Sequence, residues 1–139
     1  MRFWDSSAIV PLLIRQPQSA RVDEWWVQDA DVVLWTLSLV EVTSALWRLV
    51  RERAVSEADA QVAEVRAQEL AAASRVVADV EGVKELARRS LRLHSLTAAG
   101  ACQLAAALVW AGGRPQGKTL LTLDERLAAS ARREGFDVP

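Results

Sequence analysis

The sequence predicts an α/β domain in which a central, mainly parallel sheet is covered by helices on both faces. Two observations support this prediction: short apolar runs alternate with helical segments along the chain, and one run is apolar at nearly every position. Alternation of this kind is typical of parallel sheets, because each crossover helix packs on the strands that it connects. The 139 residues contain no internal repeat or linker-like tract, so we expect a single domain over residues 1–139.

Short runs of apolar residues, mostly β-branched or aromatic, predict the strands. The predicted strands are residues 2–4, 31–36, 75–78, 119–123 and 136–138. The run at 31–36 reads Asp-Val-Val-Leu-Trp-Thr, and its almost unbroken apolar character indicates a strand that is buried on both faces.

Segments with apolar residues at helical spacing predict the helices. The predicted helices are residues 6–14, 19–28, 38–53, 56–74, 81–93, 98–111 and 125–134. Pro11 is compatible with the first helix only because it falls near its first turns. Gly112 and Gly135 directly follow two of these segments, at positions where glycine commonly ends a helix.

Charge and cysteine content exclude several classes of protein. The 17 basic and 18 acidic residues give a formal net charge of −1, which excludes a uniformly basic nucleic-acid-binding protein. Cys102 is the only cysteine and His94 the only histidine, so the chain can form neither an internal disulfide nor a Cys/His zinc site. This composition predicts a protein of the reducing cytoplasm.

Residues 93–113 carry no formal charge over a length that could span a membrane. Polar residues and glycines interrupt this stretch, and much of the remainder is alanine, which favours a loop followed by a buried helix. Asp5 falls where a signal peptide would need its apolar segment. The sequence therefore predicts neither a membrane span nor export by a signal peptide.

Three acidic residues lie at the edge where the predicted parallel strands end. Asp5 follows the first strand, Glu41 lies in the first turn after the second, and Asp124 follows the strand at 119–123. Chemistry in open parallel sheets collects beyond these carboxyl ends. Carboxylates brought together there repel one another, and a divalent cation such as Mg²⁺ or Mn²⁺ holds them ionised. Such a site would suit phosphodiester hydrolysis by metal-activated water.

Helix capping offers a second interpretation of each acid. Ser38 and Glu41 have the spacing of a capping box, in which Glu41 reaches back to the Ser38 N–H. Thr122 and Glu125 have the same spacing, and Asp5 stands where it can cap the first helix. Residue spacing alone leaves both a metal site and a set of helix caps open.

Three segments, in this order and at these spacings, are similar to those of PIN-domain proteins. They are Asp-Ser-Ser-Ala-Ile-Val from Asp5, Ser-Leu-Val-Glu-Val-Thr-Ser-Ala-Leu from Ser38, and Leu-Thr-Leu-Asp-Glu-Arg-Leu-Ala from Leu121. More narrowly, the chain resembles the VapC ribonuclease toxins of bacterial and archaeal type II toxin–antitoxin pairs. The resemblance extends over essentially the whole chain and implies a PIN-like, three-layer α/β/α domain.

The resemblance also implies a function. The family consists of Mg²⁺- or Mn²⁺-dependent endoribonucleases, usually homodimers, that are inhibited by a cognate antitoxin whose tail occupies the active-site groove. By position, Asp5, Glu41 and Asp124 match the family's catalytic, metal-binding acids. Ser7 and Thr122 match the small hydroxyl residues beside them. The resemblance identifies neither the RNA target nor the residues that bind it.

One position departs from the family pattern. The family usually reads Ala-Asp-Ala before a Leu/Ala-rich helix, whereas this chain reads Ala99-Gly100-Ala101. Glycine supplies no ligand and costs about 1 kcal/mol in a helix relative to alanine, so helix propensity does not explain it. Three interpretations stay open: activity has been lost, three acids and additional water hold the metal, or the natural residue has been replaced.

Two other functions compete with that of a ribonuclease. A catalytically silent PIN-like protein would bind antitoxin or RNA without cleaving, and Gly100 is the residue that favours it. An α/β domain whose acids only cap helices would contain no acidic cluster at all.

Several other residues have two interpretations each. One face of the helix at 81–93 is basic and fits a solvated surface better than an RNA-binding track. This face comprises Lys84, Arg88, Arg89 and Arg92. His94 fits a helix-end role better than catalysis. Trp25, Trp26 and Trp47 fall on early helices, where core packing and a dimer or antitoxin interface are both open.

Overall fold

A single four-stranded parallel sheet, in the order β3-β2-β1-β4, organises the computed structural model, which describes all residues from 1 to 139. The strands are β1 (Arg2–Trp4), β2 (Val32–Trp35), β3 (Arg75–Val77) and β4 (Leu120–Leu121). The central strand β1 lies between β2 and β4, with Phe3 opposite Val33 on one side and Leu120 on the other. The predicted α/β class with a parallel sheet is confirmed.

Seven helices connect and cover the strands. They are α1 (Ser6–Leu13), α2 (Ser19–Gln28), α3 (Ser38–Arg51), α4 (Glu57–Ala72), α5 (Val80–Leu93), α6 (Ala98–Trp110) and α7 (Glu125–Glu134). Every predicted helix is present, and each end lies within two residues of its predicted position. Local hydrophobic pattern and helix-ending residues were sufficient to place these elements.

The sheet separates two apolar cores, because successive residues of a strand point to opposite faces. Phe3 and Leu120 pack with side chains of α5, α6 and α7 on one face. The next residues along the same strands, Trp4 and Leu121, pack with side chains of α1 to α4 on the other face. The result is the three-layer α/β/α arrangement, with β1 contributing to both cores.

The edge of the sheet beside β4 is shorter than the sequence predicts. β4 has two residues in place of the predicted 119–123, and the predicted strand at 136–138 contributes only one bridge, between Thr119 and Asp137. After Leu121 the chain leaves the sheet, and the Thr122 hydroxyl donates to the Asp5 carboxylate and accepts the Asp124 backbone N–H. These two strand predictions are wrong in extent.

The uncharged stretch at 93–113 folds as a short loop followed by α6. The α6 residues from Gln103 to Leu108 are buried against the sheet. No helix has both the length and the apolar character of a membrane span; α5 and α6 meet these criteria only together, across a bend of 119°.

The early-helix tryptophans divide between core and surface. Trp25 is buried, whereas Trp26 and Trp47 each keep part of their surface exposed. Trp26 packs edge-on against Trp4 with ring centroids 6.0 Å apart. The Trp47 indole N–H donates to the Glu64 carboxylate at 3.2 Å. Trp25 is therefore a core residue, and an interface at the other two stays a prediction.

Candidate active site

Asp5 and Asp124 lie beside each other at the ends of the adjacent strands β1 and β4. The Asp5 backbone N–H donates to the Leu121 carbonyl at 2.9 Å. The Thr122 hydroxyl donates to the Asp5 carboxylate at 2.8 Å and accepts the Asp124 backbone N–H at 3.0 Å. Parallel pairing of β1 with β4 thus brings together residues that are far apart in the sequence.

Asp5 is the buried centre of this arrangement, with 4% of its surface exposed. Its Oδ2 accepts hydrogen bonds from the Ser7 hydroxyl, the Ser7 backbone N–H and the Thr122 hydroxyl. Its Oδ1 has only a long contact of 3.4 Å from the Ser6 hydroxyl. Asp5 therefore caps α1, as one interpretation predicts, and also presents a second carboxylate oxygen that no strong donor engages.

Glu41 is not part of a capping box, so that prediction is wrong. Leu37, rather than Ser38, is the N-cap of α3, and no side chain caps this helix. Ser38 is buried, and its hydroxyl accepts a hydrogen bond from Gln103 Nε2 at 3.2 Å. The same Nε2 donates to Glu41 Oε2 at 3.0 Å, and the Ser6 hydroxyl donates to that oxygen at 2.7 Å. Hydrogen bonds from Ser6 on α1 and Gln103 on α6 therefore hold Glu41, in place of a cap within α3.

Asp124 is exposed and caps α7. Its Oδ1 accepts the backbone N–H groups of Arg126 at 2.8 Å and Leu127 at 3.0 Å, and its Oδ2 has no hydrogen-bond partner. The predicted capping box of Thr122 with Glu125 is therefore wrong, because the helix begins two residues later than that pattern requires.

Burial controls the ionisation of the two inner acids. Burial raises the pKa of the Asp5 carboxyl; hydrogen bonds from Ser7 and Thr122 reduce this rise, and the charge of Asp124 adds to it. Burial also raises the pKa of Glu41, against the hydrogen bonds from Ser6 and Gln103. None of the ion pairs of the chain includes an acid of this site. Its negative charge has no cationic side-chain partner.

The donor set fits a hard divalent cation such as Mg²⁺ or Mn²⁺. Each of the three carboxylates has one oxygen held by donors of the protein and a second oxygen without a strong partner. Carboxylate oxygens without a compensating charge are the ligands that such cations prefer.

The three acids do not, however, form a complete group around one position. No set of three acidic, histidine or cysteine side chains lies close enough together to hold a single ion. Asp5 and Glu41 are joined through the Ser6 hydroxyl, whereas the N–H groups of α7 hold Asp124. Asp5 therefore contacts Glu41 through Ser6 and lies beside Asp124 through Thr122, but the three acids do not close around a single ion.

Gly100 lies on the face of α6 that carries Gln103. The two residues are three positions apart, which places them on one side of a helix. The Thr97 hydroxyl caps α6 by accepting the Gly100 N–H at 3.1 Å. A Cβ at Gly100 would meet only Thr97 Oγ1, at 3.3 Å, and Leu96 Cδ2, at 3.6 Å. The Thr97 oxygen would have to shift by a few tenths of an ångström to admit a side chain at this position.

Two adjoining cavities, together called the groove, open beside the acids and meet at Gln18 and Leu123. The α3 branch, of about 590 Å³, is lined by residues that include Ser6, Gln16, Glu41, Ser44 and Arg48. The α7 branch, of about 550 Å³, is lined by residues that include Arg21, Thr122, Asp124, Glu125, Arg132 and Pro139.

Sequence reasoning missed two residues that organise Glu41. Ser6 follows Asp5 in the first motif, but the family resemblance indicates a role only for its neighbour Ser7. Gln103 interrupts an otherwise apolar helix and is fully buried, and such an isolated polar residue was the available signal.

The basic face of α5 is largely neutralised by neighbouring acids. The pairs are Lys84 with Glu81, Arg88 with Glu85, and Arg89 with Glu134. The His94 side chain bonds to Glu134 at 2.7 Å. These contacts favour the solvated-face interpretation, and they give His94 a hydrogen-bonding role at the end of α5.

Comparisons with known proteins agree with the fold. A family model described as PIN domain matches residues 2–138. PAE2754 from Pyrobaculum aerophilum is similar with a TM-score of 0.63 and 22% identity, covering 99% of this chain and 87% of that one. FitAcB from Neisseria gonorrhoeae is similar with a TM-score of 0.66 and 19% identity, covering 99% and 96%. No curated protein matches the chain.

Proposed function

The chain belongs to the PIN domain family, and from this premise we propose that it is a metal-dependent endoribonuclease, the toxin of a toxin–antitoxin pair. One observation supports the proposal most directly: Asp5 and Glu41 are joined through Ser6, beside an open groove, without any cationic partner. A structural pair of buried acids would ordinarily be compensated by a nearby cation.

Asp5, Glu41 and Asp124 are the residues that would hold Mg²⁺ or Mn²⁺. The bound metal supplies a Lewis acid and an activated water for attack on an RNA phosphodiester. Ser7 and Thr122 fix the orientation of Asp5 by binding its Oδ2. Ser6 and Gln103 fix Glu41 in the same way. The four neutral donors leave the negative charge of the acids intact, which favours cation binding.

The resemblance to VapC toxins supports three further parts of the proposal. The chain acts in the cytoplasm, forms a homodimer, and is inhibited by a cognate antitoxin that enters the groove. Trp26 and Trp47, which are partly exposed, are candidates for these interfaces.

A second candidate is a silent PIN-like protein that binds antitoxin or RNA without cleavage. Gly100 favours it, because this position supplies no carboxylate to the site. With one negative charge fewer, we expect Mg²⁺ to bind weakly.

Metal titration by calorimetry, together with cleavage of a generic RNA, separates the two candidates. The proteins compared are the parent, Gly100→Asp, and Asp5→Ala as the blank. We expect Gly100→Asp to bind Mn²⁺ more tightly and cleave faster than the parent, because it supplies the carboxylate that the family pattern has at this position. The new Cβ requires only a small shift of the Thr97 oxygen. Cleavage by the parent that disappears in Asp5→Ala supports the enzyme. Absence of cleavage in the parent with RNA binding retained supports the silent protein.

A further inference from the structure

We infer that Arg48 binds the RNA backbone next to the scissile phosphate, so that the substrate strand runs from the acids along the α3 branch of the groove. The inference rests on the proposed interaction with RNA, and it adds a positioning residue and a direction for the strand.

Arg48 and Glu41 share one face of α3. They are seven residues apart, which corresponds to two helical turns and about 10 Å along the axis. Both residues line the same cavity. A phosphate adjacent to one held at Asp5 and Glu41 would therefore lie within reach of the long Arg48 side chain.

The Arg48 guanidinium has no ion-pair partner within the chain. Its side chain is exposed, and it takes part in none of the ion pairs of the chain. Glu41 is the only acidic residue that lines this branch, and the neutral side chains of Gln16 and Ser44 line it as well. A free guanidinium with neutral hydrogen-bonding neighbours suits a phosphate group, which it can bind through two parallel N–H donors.

The two arginines that line the α7 branch already contact other groups of the chain. Arg21 donates to the Pro139 carbonyl at 2.7 Å and lies over the Trp25 ring at 4.9 Å. Arg132 donates to the Val138 carbonyl at 3.0 Å. The exposed acid Glu125 also lines this branch and would repel a phosphate. The charge distribution therefore favours the α3 branch.

Binding of a short, fluorescently labelled single-stranded RNA tests the inference, with EDTA present to prevent cleavage. Fluorescence anisotropy over a series of salt concentrations compares the parent with Arg48→Ala, Arg48→Lys and Arg92→Ala. Arg92 is the matched control, because it is an exposed arginine without an ion pair on α5, in the opposite helical layer. Thermal unfolding checks that each variant is folded.

We expect Arg48→Ala to weaken binding roughly tenfold at low salt. Its plot of log K against log salt should become shallower by about 0.7, the value for one phosphate contact on a single strand. Arg48→Lys should keep the parent slope because it keeps the charge, and Arg92→Ala should match the parent. A change in slope reports a lost phosphate contact, which a merely structural role of Arg48 would not produce.

The outcomes separate this inference from the proposed function. A salt-dependence slope that is unchanged in Arg48→Ala overturns the inference. Arg48 would then be a candidate for binding a protein partner. Cleavage of RNA by the parent would still support the proposed enzyme. An Arg48-dependent slope in a parent that does not cleave supports the inference and opposes the enzyme. A parent that does not bind RNA at all overturns the inference.

Discussion

Two carboxylate clusters in this chain are built in opposite ways. Glu134 receives hydrogen bonds from His94 at 2.7 Å and Arg89 at 3.0 Å, and these hold its pKa below the usual range although burial acts to raise it. Asp5 and Glu41 receive only neutral donors, and burial raises the pKa of both. The Glu134 cluster contains its own cation, Arg89, whereas the acidic site contains none. The partners of an acid, more than its place in the sequence, therefore distinguish a structural carboxylate from a candidate ligand.

The largest expected effect is stabilisation of the protein by Mn²⁺. Its absence would contradict the distinction between the two clusters. Mn²⁺ at about 100 times its Kd should stabilise the parent by about 2.7 kcal/mol. Asp5→Ala should abolish this stabilisation, and Glu134→Gln should retain it, since Arg89 already compensates Glu134. Thermal unfolding with and without Mn²⁺ measures the effect. Equal stabilisation of the parent and Asp5→Ala would place the bound Mn²⁺ elsewhere.

Replacing Gln103 tests whether neutral donors prepare the site. In Gln103→Leu, Glu41 loses the donor at 3.0 Å that fixes its Oε2. Loss of such a supporting contact lowers metal affinity by about 10- to 100-fold. Calorimetric titration with Mn²⁺ measures the change, and circular dichroism confirms folding. A folded variant with the affinity of the parent would show that Gln103 does not orient Glu41.

The Glu134 cluster should show the pH dependence of a compensated acid. Because its pKa is lowered in the folded state, Glu134 stabilises the fold above the unfolded pKa of about 4.3, and this contribution is lost as pH falls through the folded pKa. Glu134→Gln should be less stable by about 1 kcal/mol at pH 7. Urea unfolding over pH 3–7 should show the two proteins converging at the acidic end. A constant difference across this range would contradict the assigned ionisation.

The smallest expected effect concerns Asp124, which is both the N-cap of α7 and a candidate metal ligand. Asparagine is about as good an N-cap as aspartate, so Asp124→Asn should change the free energy of unfolding by less than about 0.5 kcal/mol. The same variant should bind Mn²⁺ more weakly, because it loses a negative charge. Urea unfolding and calorimetry measure the two effects separately. Undiminished Mn²⁺ binding would leave Asp124 as a helix cap only.

The sequence predicts the fold well because its signals are local. The continuous apolar character of β2 and the helical spacing in α2 depend on neighbouring residues, and both elements form where expected. The proximity of Asp5 and Thr122 also follows from the sequence, since both stand at the ends of parallel strands and match the family motifs.

The organisation of Glu41 could not be predicted, because its partners are distant in the sequence. Ser6 lies 35 residues away and Gln103 lies 62 residues away. The spacing of Ser38 and Glu41 fits a local cap equally well, and the hydrogen bonds from Gln103 on α6 to these two residues decide against it. The groove beside Arg48 likewise depends on how helices pack, which no local pattern records.

The strand order has a consequence for the synthesis of the protein. β1 emerges from the ribosome before the other strands of this sheet, but the Thr122 hydroxyl that binds Asp5 lies 117 positions later. A nascent chain that stops before β4 contains Asp5, Ser7 and Glu41 but lacks the Thr122 hydroxyl that completes the binding of Asp5 Oδ2. Assembly of the acidic site therefore waits until residues as far as Thr122 have been synthesised.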